Sequence, residues 1–241
     1  MFERPHHRDV ALVLQSLDPA VLVQRRCAFG GGTAMALRYG EYRESLDIDF
    51  LVSDRDGYRN LRQSLGGEHG LDPLLRPGLS LELARDVRAD QYGIRTQVRA
   101  GGSLIKFEIV LEARITLGTP GAEDVVCGVP SLVPLDLAAE KLLANADRWA
   151  DDAVYSRDLI DLAMQGADRP LLRAACAKAE GAYGDAIREA LGRAVEALRQ
   201  RPHRLDACMK ALAMTTTSRA QLWQAIRRVG RALPVQPAAA G

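Results

Sequence analysis

Two aspartates one residue apart, Asp47 and Asp49, are the residues of this 241-residue chain whose spacing most invites chemistry. They sit in Asp47-Ile-Asp-Phe-Leu-Val52, an alternation that reads as a strand. In a strand, Asp47 and Asp49 share one face while Ile48 and Phe50 pack on the other. Two carboxylates on one face repel each other, and a divalent cation is the usual compensation. Mg²⁺ needs few protein carboxylates, because it takes its other ligands from water and substrate phosphates. Read alone, the pair fits either a metal site or a polar strand end with two solvated acids.

Upstream lies Phe29-Gly30-Gly31-Gly32-Thr33-Ala34, a strand end, a glycine turn and a helix start. Glycines allow close backbone approach to an anion, and a helix N-terminus offers free N–H groups. Thr33 adds a hydroxyl. No Gly-Lys-Ser/Thr follows, and the G-x-G-x-x-G spacing is absent, so this is neither a P-loop nor a dinucleotide fingerprint. It fits a phosphate cradle or a plain turn. Downstream, Lys106-Phe-Glu-Ile-Val110 places Lys106 and Glu108 on one face and Phe107 and Ile109 on the other. Glu108 would add a third carboxylate, or belong to an exposed strand face.

A last group falls on helices. Leu137-Ala-Ala-Glu-Lys141 is followed by Arg157-Asp158-Leu-Ile-Asp161, where Asp158 and Asp161 share a face. The chain has four lysines and 28 arginines. Each retained lysine is therefore informative, since a lysine is a compact point charge and an arginine a planar fork. Lys141 fits a triphosphate contact or a snorkelling side chain.

The elements that must position these residues follow from the pattern. Residues 8–25 read as helix interrupted at Asp18-Pro19, and 27–29 as a short strand. Residues 33–39 resume as helix, and a helix capped by Ser53 or Asp54 runs to about 65. Strands are expected at 81–89, 92–99 and 103–111, with Gly101-Gly102 turning a hairpin and an edge strand at 124–127. From Pro134 the chain reads as helix almost throughout, in segments near 134–146, 154–164, 170–182, 184–200, 203–213 and 217–231, with breaks at Gly181, Pro202 and Thr215–Thr217.

Composition narrows the class. At 47% hydrophobic and 26% charged, the chain is an ordinary cored protein rather than a disordered one. No apolar run approaches a membrane span, and the N-terminus has no apolar signal core. Cys27, Cys127, Cys176 and Cys208 are far apart with no C-x-x-C pair, so neither zinc nor a disulfide framework is indicated. The expected compartment is the reducing cytoplasm. Net charge is +1, but from Leu171 onward 12 Lys+Arg face 5 Asp+Glu, leaving that segment at +7 and residues 1–170 at −6. A basic surface suits a polyanion, and an Arg-rich solvated helical surface is the plainer alternative.

Together these pieces resemble the nucleotidyltransferase superfamily with the polymerase-beta-like fold, and more narrowly the AbiEii/AbiGii toxin family of type IV toxin–antitoxin systems. The resemblance spans roughly residues 27–165. It is carried by Gly31-Gly-Thr-Ala34, Arg43-Glu-Ser-Leu-Asp-Ile-Asp-Phe50, Glu140-Lys-Leu142 and Arg157-Asp-Leu-Ile-Asp-Leu162. It implies an α/β (α+β) nucleotidyltransferase domain with a mixed sheet at 1–133 and an all-helical domain at 134–232, while the Pro- and Ala-rich end reads by itself as a disordered tail at 233–241. Gly31, Asp47, Asp49 and Glu108 should meet at one edge of the sheet.

The activity implied is transfer of a nucleoside monophosphate from an NTP, ATP among them, to an acceptor hydroxyl, with release of pyrophosphate. By resemblance, Asp47 and Asp49, with Glu108 as a third ligand, hold Mg²⁺ or Mn²⁺. Gly31, Gly32 and Thr33 cradle the β,γ-phosphates, and Arg43 and Ser45 steady the triphosphate or the aspartate strand. Lys141 contacts nucleotide phosphates, and Asp158 takes the acceptor proton or holds the groups that do. Arg157 and Asp161 tie the helix in place. The implied acceptor is RNA, notably the 3′ end of tRNA, and the implied partner an antitoxin, with no membrane. The alternatives are a small-molecule or protein acceptor and a non-catalytic nucleotide-binding module. A metal-dependent hydrolase is disfavoured because none of the four histidines, His6, His7, His69 and His203, is expected near the motifs.

Overall fold

The structure, a computed structural model, describes residues 2–65 and 69–233. The chain divides into two compact units, Met1–Val133 and Pro134–Gly241. The tail expected at 233–241 lies, from Pro234 on, outside the described residues.

The first unit opens with helices α1 (Pro5–Ser16) and α2 (Pro19–Gln24). Their break is chemical: the Asp18 side chain accepts the Ala20 N–H, and Pro19 takes the first helical position, where its missing N–H is no loss. Then come β1 (Ala28–Gly30), α3 (Gly31–Arg38), β2 (Ile48–Val52) and α4 (Arg55–Ser64). Asp54 is the residue that caps α4, through Gly57 N–H at 2.9 Å. Strands β3 (Glu82–Ala89), β4 (Gly93–Ala100) and β5 (Ser103–Leu111) complete a five-stranded sheet in the order β1-β2-β5-β4-β3. The sheet is mixed: β2 runs parallel to β5 and every other pair is antiparallel.

The edge strand expected at 124–127 takes another form. Val125–Val126 (β6) pairs with Val129–Pro130 (β7) as a separate two-stranded ladder. Cys127 (φ +52°) and Gly128 (φ +83°) between them supply the left-handed pair that a tight hairpin turn requires.

Period-2 alternation decides which face of the sheet carries chemistry. Ile48, Phe50, Phe107 and Ile109 are fully buried. Phe29, Phe50 and Phe107 form a chain of tilted rings with centroids 5.6 Å apart at each step. Each ring contributes about 1.5–3 kcal/mol of burial, which fixes the register of β1, β2 and β5. Once the aromatics are committed to the core, Asp49 and Glu108 must point to the other face.

Among the described residues the second unit holds only helices and their connections: α5 (Pro134–Arg148), α6 (Arg157–Met164), α7 (Arg169–Tyr183), α8 (Ala186–Gln200), α9 (Pro202–Ala211) and α10 (Arg219–Ala232). Helix α5 packs against α6, α7 and α8, and α10 packs against α6 and α8. Gly181 does not break α7. The helix runs through it and stops at Gly184, whose φ of +58° favours a glycine. Among the described residues no helix is long and apolar enough to cross a membrane.

Candidate active site

Gly30, the last residue of β1, pairs in register with Asp49, and Asp49 pairs with Glu108. Cross-strand partners point to the same face, so the two carboxylates lie side by side on strands about 4.8 Å apart. The chain passes from β1 straight into α3, which sets Gly31 and Gly32 beside them. Gly31 has a φ of +69°, a conformation that favours glycine, and a Cβ there would collide with the Asp49 carboxylate. A Cβ on Gly32 would run into the Arg43 guanidinium and lie 3.2 Å from Ser45 Oγ. Buried Thr33 donates its hydroxyl to Ser45 Oγ at 2.9 Å. Gly31, Gly32, Thr33, Arg43, Ser45 and Asp49 are thus brought together, although residues 34–42 separate the two halves of the set. The first N–H groups of α3 have no partners within the helix, and Gly30 offers no side-chain cap.

The remaining acids sit differently. Asp47 is exposed and immediately precedes β2. The Glu108 side chain is 13% exposed and holds two cations. Its Oε1 accepts from Arg95 Nε at 2.7 Å and its Oε2 pairs with Lys106. Asp47, Asp49 and Glu108 therefore do not converge as a ready three-carboxylate set. Among the described residues no three His, Cys, Asp or Glu side chains are arranged to hold a metal. The physical reason at Glu108 is its register partner: Arg95 sits directly across on β4.

The loop between α3 and β2, which carries Arg43, Ser45 and Asp47, is held by α1, and here the sequence reading needs correction. His7 is fully buried and stands at the motifs. Its Nε2 accepts the Ser45 N–H at 3.2 Å, so its Nδ1 carries the proton and donates to Glu41 Oε1 at 2.8 Å. Glu41 also accepts the backbone N–H groups of Glu3 and Arg4. His6 bonds the Leu46 carbonyl at 3.1 Å and Ser103 Oγ at 3.0 Å. Burial pushes the His7 pKa below the ordinary imidazole value, outweighing the opposing pull of Glu41. No local signal marks this frame, because its partners lie 34 or more residues apart.

In the helical unit, Lys141 is nearly buried between two aspartates. Its Nζ lies 2.7 Å from Asp161 Oδ2 and 3.3 Å from Asp158 Oδ1. Arg148 grips Asp158 with two parallel bonds, Nε to Oδ2 at 2.7 Å and Nη2 to Oδ1 at 2.9 Å. Burial acts to raise the Asp158 pKa, but the Lys141 charge and the Arg148 bonds outweigh it and hold the carboxyl below its usual range. Helix spacing explains the cluster: Asp158 and Asp161 sit one turn apart on α6, facing Lys141 and Arg148 of α5.

A mixed sheet with a glycine turn closed on an aspartate strand, in a chain that also carries a helical unit, defines a nucleotidyltransferase fold, and solved structures agree. JHP933 from Helicobacter pylori aligns with a TM-score of 0.51 at 16% identity, over 97% of this chain and 92% of that one. MenT4, a nucleotidyltransferase toxin from Mycobacterium tuberculosis H37Rv, aligns with a TM-score of 0.50 at 18% identity, over 98% and 87%. At these identities the likeness establishes the fold. No curated protein matches the chain. Residues 13–232 match the family described as nucleotidyl transferase AbiEii toxin of type IV toxin–antitoxin systems. The chain belongs to that family and is a nucleotidyltransferase.

Proposed function

We propose that the chain moves a nucleoside monophosphate from an NTP to the hydroxyl of an RNA, notably the 3′ end of a tRNA, as the toxin of a toxin–antitoxin pair. The observation that carries the reading is the glycine turn of α3 closed on Asp49 by Arg43 and Ser45. The bond formed joins the acceptor oxygen to the α-phosphorus. The bond broken is the one to the leaving pyrophosphate, and the acceptor proton is released.

The donors suit a hard divalent cation such as Mg²⁺ or Mn²⁺: Asp47 and Asp49 offer carboxylate oxygens, and Mg²⁺ is content with one or two of them. Such an ion, when bound, supplies charge stabilisation for in-line displacement at phosphorus. Glu108 would add a third carboxylate to Asp47 and Asp49 if Lys106, which is 46% exposed, released Oε2. The N–H groups that open α3 and the Thr33 region would take the β,γ-phosphates, with Arg43 balancing their charge. By family resemblance Lys141 contacts nucleotide phosphates. Asp158 then acts as the group that positions Lys141. A carboxyl held low by two cations is a poor proton acceptor.

The test uses purified protein, Mg²⁺, each α-³²P-labelled NTP in turn and total bacterial tRNA. Label should appear on RNA with one or more NTPs, and Asp49→Ala should lower it by about 10²–10³-fold or more. RNA that stays unlabelled with every NTP would defeat the RNA reading. Label found instead on a small molecule or a protein would name the acceptor.

A further inference from the structure

Helix α10 and the start of α7 enclose a groove of about 450 Å³ in the helical unit. Four arginines line it: Arg169 from α7, and Arg227, Arg228 and Arg231 from α10. All four are exposed. Arg227 and Arg231 are four residues apart and Arg228 and Arg231 three, so they share one side of α10.

Their setting differs from that of most arginines around them. Arg188, Arg193, Arg199, Arg201 and Arg219 each hold a carboxylate. None of the groove's four forms an ion pair among the described residues. The one carboxylate in the lining, Asp168, is engaged in capping α7 through Leu171 N–H at 2.9 Å. Four guanidinium groups facing one groove with a single carboxylate repel one another, and an anion relieves that repulsion. Guanidinium forks match phosphate oxygens two at a time. The lining contains no aromatic side chain of the kind that anchors protein partners.

We propose that this groove binds the phosphate backbone of the acceptor RNA. The proposal rests on the RNA reading of the function and adds a surface that would hold the substrate, built from residues other than those of the candidate active site. Contacts of this kind are insensitive to sequence, so the groove contributes affinity and register rather than base choice.

The experiment measures binding of the full-length protein to fluorescein-labelled tRNA and to a labelled single-stranded RNA, by anisotropy, across a salt series and without NTP. The variant is Arg227→Gln/Arg228→Gln/Arg231→Gln. The control is Arg193→Gln/Arg199→Gln, which removes two exposed, ion-paired arginines. The groove variant should bind both RNAs at least tenfold more weakly. Its slope of log affinity against log salt should fall by about 2 for single strands. The control should change neither value. Circular dichroism and a urea melt establish that the variants fold.

Wild-type affinity and slope in the groove variant would overturn the proposal, as would an equal loss in the control. So would an unchanged RNA affinity accompanied by lost binding of an acidic polypeptide such as polyglutamate. The two readings fail separately. Asp49→Ala should abolish transfer while leaving RNA affinity intact, and the groove variant should do the reverse to affinity. Loss of the transfer reading therefore shows in the labelling assay, and loss of the groove in the anisotropy.

Discussion

At the residue scale, Gly31 is the position with least freedom. Its left-handed backbone and the Asp49 carboxylate at its Cα both exclude a side chain. Gly31→Ala should cost about 1–2 kcal/mol from the backbone alone, read as a lowered urea midpoint. It should also displace Asp49 and so reduce transfer beyond what the lost stability explains. Gly32→Ala meets the Arg43 guanidinium and not a backbone atom, so it should disturb the phosphate side of the site more than the fold. A Gly31→Ala protein with wild-type transfer would show that the turn does not border the reacting groups. These two glycines and the aspartates were legible in the sequence because strand alternation and a turn into a helix are local signals. His7 was not. Its bonds to Ser45 and Glu41 join residues more than thirty positions apart, and a lone histidine near the N-terminus carries no period or motif.

At the element scale, α1 acts as a clamp on the loop that brings Arg43 and Ser45 to the turn, and the clamp has a pH signature. His7 is neutral in the fold, and burial sets its pKa below the ordinary value of 6.5. In the unfolded chain it protonates first, so the unfolded state binds more protons just below pH 6.5. The stability His7 contributes is present above that pH and is lost as pH falls toward its folded pKa. Glu41 and Asp158, both held low in the fold, give a second and separate loss. It begins as pH falls below the unfolded carboxylate values of about 3.9–4.3 and runs through their folded ones. Urea melts between pH 4.5 and 8 should show the His7 window, and His7→Asn should flatten it. That substitution should also cost about 1–3 kcal/mol at neutral pH, through the unmet partners it leaves.

The α5–α6 pair shows the same dependence on context. Spacing put Asp158 and Asp161 on one face, but only packing revealed that Lys141 lies between them. Lys141→Met removes the cation facing both buried carboxylates and should cost about 3–5 kcal/mol. A Lys141→Met/Asp161→Asn double variant should regain part of that loss in a urea melt. Loss of transfer that persists in the double variant would separate a phosphate-contacting lysine from a merely structural one.

At the scale of the whole chain, alternating strands before residue 134 and near-continuous helix after it were readable from periodicity, and the observed elements follow them closely. What periodicity does not encode is pairing: the order β1-β2-β5-β4-β3, and the diversion of Val125–Val126 into its own ladder, depend on contacts distant in sequence. The four thiols make the integrity of both units measurable. Cys27, in the first unit, and Cys176 and Cys208, in the second, are buried. Burial raises all three thiol pKa values, that of Cys176 to about 12. Cys127 is partly exposed in the β6–β7 turn, with its pKa pushed up to about 11. Thiolate is the reactive form, so at pH 8 the native chain should react with a colorimetric disulfide reagent at Cys127 alone, and slowly. All four should react in denaturant. A urea series counted by mass spectrometry should then show Cys27 responding to unfolding of the sheet, and Cys176 and Cys208 to unfolding of the helices. If Cys176 and Cys208 reacted in the absence of denaturant, the helical core around them would be open in solution. The groove on α10 would then lack the rigid wall that its four arginines need.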